Sequence, residues 1–66
     1  MNVIVNGKGM DVADGMTVTG LLGLLQLDAS RVAVERNQNI VARADFDSTE
    51  LLEDDRLEIV QFVGGG

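Results

Sequence analysis

The chain has 66 residues, with 11 acidic and 5 basic side chains, a formal net charge of −6, and neither cysteine nor histidine. It is one small domain that must fold on its apolar residues, because disulfides and thiolate or imidazole zinc sites are excluded. The acidic balance argues against a nucleic-acid partner, which needs a basic face; it suits a basic protein partner, or serves only to keep a small apolar domain soluble.

The opening "MNVIVNGKGM" shows no basic stretch followed by a long apolar core, and no apolar run approaches the roughly 20 residues of a membrane span. The expectation is a soluble, cytoplasmic protein without a membrane partner. Within this opening, "NVIV" reads as a strand with Val3 and Val5 on one face and Ile4 on the other. Asn6-Gly7 is a hairpin-turn signal, and "MDVAD" is the return strand, with Met10 and Val12 available for packing.

After the Asp14-Gly15 break, Val18, Leu21, Leu22 and Leu25 recur at the spacing of one helix face within "MTVTGLLGLLQL". Thr17 is placed to cap the first turn with its hydroxyl. Gly20 and Gly23 are unusual inside a helix: they either permit a close approach or simply weaken it. "SRVAVE" alternates as a half-buried strand, with Val32 and Val34 inward; "RNQN" is a polar turn and "IVAR" a short strand. "ADFDSTELLEDD" is an acidic loop with Phe46, Leu51 and Leu52 as anchors and Asp54-Asp55 as a turn. "RLEIVQFV" closes the domain as a strand, with Leu57 and Ile59 on one face and Glu58, Val60 and Phe62 on the other.

One helix covers only one face of a sheet, so the class is α+β. The first strand is expected antiparallel to the second and parallel to the last. The expected core is Val3, Val5, Val18, Leu22, Leu25, Val32, Val34, Leu57 and Ile59.

Few reactive groups are available. Without histidine or cysteine there is no ready general base or thiol nucleophile, and Ser30 and Ser48 have no local partner base. The pairs Asp45/Asp47 and Asp54/Asp55 lack calcium-loop spacing and read as solvated turns. Gly7-Lys8-Gly9 lacks the spacing and following helix of a phosphate loop and reads as a hairpin turn. What remains is the ending "QFVGGG" and the α-carboxylate of Gly66. A carboxylate reacts with nucleophiles only after an ATP-dependent step makes its oxygen a leaving group. A terminal glycine suits that step, since the carbonyl is open and the backbone threads a narrow channel. Gly64 and Gly65 add flexible reach. Taken alone, such a tail is also what an ordinary frayed terminus looks like.

The order of elements, "MTVTGLLGLL" in the helix, "VAVERNQNIVAR" in the central hairpin and "EDDRLEIVQFVGGG" at the end resemble the thiamin-biosynthesis sulfur-carrier family (ThiS), ubiquitin-like β-grasp proteins. The resemblance covers essentially the whole chain. It implies a β-grasp domain over residues 1–63 and a flexible C-terminal glycine tail over 64–66. The family's diglycine falls on Gly65-Gly66, with Gly64 as an added hinge.

The resemblance also implies a mechanism. An E1-like adenylyltransferase spends ATP to form an acyl-adenylate on Gly66. A persulfide sulfur donor displaces AMP to leave a thiocarboxylate, and thiazole synthase takes the sulfur. The protein is then a recyclable cosubstrate, not an enzyme, and holds no cofactor or metal. The other classes weighed are a molybdopterin-synthase small subunit, a ubiquitin-like modifier and a β-grasp binding module. Strand alternation turns Val60 and Phe62 outward, where Ile4 is expected to join them in a partner face, with Asp54, Asp55 and Glu58 steering a basic partner toward it.

Overall fold

The computed structural model describes residues 1–63. The expected flexible tail, Gly64 to Gly66, lies outside the described residues. The described elements are β1 (Asn2–Val5), β2 (Lys8–Asp11), α1 (Val18–Leu24), β3 (Val32–Arg36), β4 (Asn39–Val41) and β5 (Arg56–Gln61), with short 3₁₀ turns at Ala29–Arg31 and Arg43–Asp45.

The five strands form one mixed sheet in the order β2-β1-β5-β3-β4. β1 runs antiparallel to β2 and parallel to β5, as expected, and β3 lies antiparallel to both β5 and β4. The tight β1–β2 connection follows from its residues. Val5 pairs with Lys8, leaving Asn6 (φ 49°) and Gly7 (φ 84°) as a two-residue turn with both backbones left-handed. Asparagine and glycine tolerate that region best, and such a turn matches the twist of the strands it joins.

Alternation puts Val3 and Val5, Val32 and Val34, and Leu57 and Ile59 on the face covered by α1, where Val18, Leu21 and Leu22 meet them. Eight of the nine expected core residues are buried. The exception is Leu25, which is only partly buried because the helix is shorter than its apolar spacing suggests. It ends at Leu24: Gln26 turns left-handed (φ 59°), its N–H reaches the Gly23 carbonyl, and the Leu27 N–H reaches the Leu22 carbonyl. This paired closure is the Schellman arrangement, built here without the usual glycine. At the other end the Gly20 N–H donates to the Thr17 hydroxyl at 3.1 Å, the expected cap.

The two helix glycines differ. A Cβ on Gly20 would lie 2.6 Å from the Met16 Sδ, whereas one on Gly23 would meet nothing within 4 Å. Close approach therefore explains Gly20, while Gly23 only weakens the helix.

The loop after β4 completes the core. Phe46 and Leu51 are buried as anticipated, but Leu52 is 59% exposed. The Leu51 N–H bonds to the Met16 carbonyl, and this contact admits one leucine of the pair to the interior. The Asp54-Asp55 turn is likewise asymmetric. Asp54 (φ 68°) is exposed, but Asp55 is only 5% exposed and is part of the interior.

Candidate functional site: the outer sheet face and the root of the tail

The sheet face away from α1 carries the outward residues of β5. Val60 is 59% exposed and Phe62 55% exposed, on the last described turn of chain before the glycines. Phe62 does not fold over the core. Its N–H donates to the Arg31 carbonyl at 2.7 Å, holding the root of the tail against the entry to β3. Its ring borders a shallow groove shared with Ala33, Ile40, Ala42 and Phe46.

Ile4 does not join Val60 and Phe62. The parallel register sets Ile4 opposite Arg56, so Val60 lies four residues further along β5, about 13 Å away at strand rise. Ile4 is also half-buried. The residue across from Val60 is Ala33 of β3. On the edge strand β4, Ile40, 72% exposed, pairs with Glu35 and so stands diagonal to Ala33, lining the same groove. The apolar surface therefore runs from the tail root across β3 toward β4, rather than toward β1. Sequence alternation identified Val60 and Phe62. Ile40 carried the same signal, an apolar residue on a short strand, but its face depends on the pairing of β4 with β3.

Glu58 points outward beside this surface and sits directly across from Glu35. Like charges in opposite positions of a sheet destabilise it, so the pair is a standing acidic feature that folding does not need. Glu35 was not anticipated as part of the site. Asp54 remains available to act at long range, but Asp55 does not steer a partner. Its carboxylate is turned inward, accepting from Arg36 Nε at 2.8 Å, Asn37 Nδ2 at 2.9 Å and the Leu52 N–H at 2.8 Å. Burial pushes the Asp55 carboxyl up; the hydrogen bonds from Leu52, Asn37 and Arg36, with the Arg36 charge, outweigh it and hold the group below the usual carboxylate range.

Among the described residues no group of three or more acidic side chains is arranged to hold a metal ion, and no helix is long and apolar enough to cross a membrane. The site is a surface with an acidic margin, adjoining a terminus whose residues 64–66 are all glycine.

Comparison with known proteins agrees with this anatomy. The chain is 41% identical over 63 residues to the sulfur carrier protein ThiS of Bacillus subtilis, covering 94% of this chain and 96% of that protein. It is 42% identical over its whole length to a thiazole synthase of Paramagnetospirillum magneticum and 41% identical to one of Magnetococcus marinus. The chain spans only 20% of the length of each of these two relatives. The crystal structure of the thiamine biosynthesis protein ThiS from Geobacter metallireducens superimposes with a TM-score of 0.85 at 40% identity, covering all of both chains. That agreement makes the mixed sheet and single helix a β-grasp fold. The family model for the ThiS family matches residues 3–66, so the chain belongs to the ThiS family.

Proposed function

We propose that the chain is a sulfur carrier of thiamin biosynthesis whose working group is the Gly66 carboxylate. The observation that carries this reading is the end-to-end match to a Bacillus sulfur carrier, together with a chain otherwise poor in reactive groups. A carboxylate oxygen of Gly66 attacks the α-phosphorus of ATP on an E1-like adenylyltransferase, and pyrophosphate leaves. The terminal sulfur of a persulfide then attacks the acyl carbon and AMP leaves, giving an acyl disulfide. A second thiol attacks the donor-side sulfur of that disulfide, forming a new disulfide with the donor and releasing the C-terminal thiocarboxylate. Gly65 and Gly66 pass through the partner's channel because they carry no side chain. The protein is consumed and regenerated as a cosubstrate.

The sulfur acceptor in this reading is thiazole synthase. Two relatives bearing that name contain a segment like this whole chain within a longer polypeptide, which favours thiazole synthase over a molybdopterin-type acceptor. The surface formed by Val60, Phe62, Ala33 and Ile40, with Glu58 and Glu35 at its margin, is the docking face for a basic protein partner. The patch lies beside the strand that leads into the glycines, which supports a partner docked there as the one that receives the carboxylate.

The test is intact-mass analysis after incubation with the adenylyltransferase, ATP and a persulfide donor. The expected product gains the mass of one oxygen-to-sulfur exchange. Gly66→Ala and a chain extended past Gly66 are expected to fold normally and to lose most ATP–pyrophosphate exchange. An extended chain that gains sulfur without being trimmed would refute the assignment.

A further inference from the structure

β1 is too short to accompany β5 to its end. The last backbone contact between them is the Asn6 N–H to the Leu57 carbonyl at 2.9 Å, after which the chain turns away through Gly7 into β2. β5 continues to Gln61. On the flank that β1 has left, the side-chain amide of Asn6 takes over as if it were one more strand residue. The Ile59 N–H donates to Asn6 Oδ1 at 2.8 Å, and Asn6 Nδ2 donates to the Ile59 carbonyl at 3.2 Å. On the other flank β3 stays paired as far as Gln61, and the Phe62 N–H is held by the Arg31 carbonyl. The exit of the chain is thus clamped from two sides, and Asn6 supplies one of them.

We propose that Asn6 is a positioning residue for the acyl-transfer chemistry, setting the direction in which β5 delivers the terminal carboxylate to a docked partner; this rests on the sulfur-carrier reading above. The residue type fits the task. The amide carries its donor and its acceptor on separate atoms, so one short side chain meets both backbone groups of Ile59, and asparagine also tolerates the left-handed backbone required there. A turn alone would be served equally by glycine. Without the clamp, the last tie on that flank retreats from Ile59 to Leu57. The chain from Ile59 to Val63 spans at most about 14 Å, so a tilt of about 5° at its base moves the root of the glycine tail by about 1 Å. A misplacement of about 1 Å is enough to cost a large factor in rate.

Two variants separate positioning from turn formation. Asn6→Gly keeps the turn and deletes the clamp. Asn6→Asp keeps the acceptor for the Ile59 N–H but loses the donor. Val12→Ala, in the core at the opposite end of β1, controls for lost stability. In Asn6→Gly the Ile59 amide is expected to lose hydrogen-exchange protection while Val34 keeps it. ATP–pyrophosphate exchange with the adenylyltransferase should show kcat down about tenfold with KM nearly unchanged. Asn6→Asp should recover the Ile59 protection and part of kcat. An Asn6→Gly chain with parental kcat, or one reduced no more than Val12→Ala, overturns the positioning role alone. A parent chain that supports no exchange overturns the sulfur-carrier reading and this inference with it.

Discussion

Arg36 Nε donates to Asp55 Oδ2 across 2.8 Å, and this contact ties the end of β3 to the start of β5. Asn37 and the Leu52 N–H complete the shell around the same carboxylate. A buried charge with all its partners in place is costly to interrupt, because the guanidinium and two donors lose their acceptor together. Asp55→Ala is expected to destabilise the domain by about 3 kcal/mol, lowering Tm by about 15 °C. Thermal unfolding followed by circular dichroism checks it; a loss of a degree or two would mean that the shell contributes little.

The same carboxylate makes stability depend on acid. Its folded pKa is depressed, so the unfolded chain binds the proton more readily. The stabilisation is complete above the unfolded carboxylate value of about 3.9 and is lost as pH falls through that value toward the lower folded one. Acidification also relieves the repulsion of a chain with net charge −6, which acts in the opposite direction. The difference between the parent and Asp55→Asn isolates the carboxylate. Their unfolding free energies from urea titration should lie furthest apart at neutral pH and draw together as pH falls below about 4. A constant gap over that range would exclude the linkage.

Gly23→Ala should stabilise the protein by about 0.5–1 kcal/mol, since the added methyl meets nothing and the unfolded chain loses freedom. Gly20→Ala should gain less or lose stability, because Met16 must move to admit the methyl. Chemical denaturation of the two variants side by side decides it, and equal effects would show that the Met16 contact is immaterial.

Docking should follow the register of the sheet. Val60→Asp and Ile40→Asp are expected to weaken binding to the adenylyltransferase at least about tenfold, roughly 1.4 kcal/mol, with little change in Tm. Ile4→Ala should leave affinity nearly unchanged, since Ile4 lies opposite Arg56 and away from the patch. Titration calorimetry supplies the measurement. An Ile4 variant that weakens binding as much as Val60→Asp would move the interface to β1.

Much of the domain is determined locally and is visible in the sequence. Val3/Val5, Val32/Val34 and Leu57/Ile59 choose the inner face because side chains alternate along a strand, whatever the strand pairs with. Asn6-Gly7 selects a two-residue turn and Thr17 a helix start, since each satisfies a backbone requirement within a few residues of itself. The glycine ending that the proposed reaction uses is visible without any fold, because it is a matter of residue type alone.

The tertiary structure decided whatever depends on residues far apart in the chain. The parallel register that carries Ile4 to Arg56 has no connecting turn to announce it, so the patch moved from β1 to β3 and β4. The helix stops at Leu24 although its apolar spacing continues to Leu25, because carbonyls of the last turn accept from Gln26 and Leu27, and no glycine marks the place. Leu51 and Leu52 are the same residue type side by side, and so are Asp54 and Asp55. Which of each pair is buried rests on the Met16 carbonyl in one case and on Arg36 and Asn37 in the other. Asn6 reads as a turn residue in any window of sequence. Its second role exists only because β5 outlasts β1 and leaves the polar groups of Ile59 facing an amide that the turn has already put there.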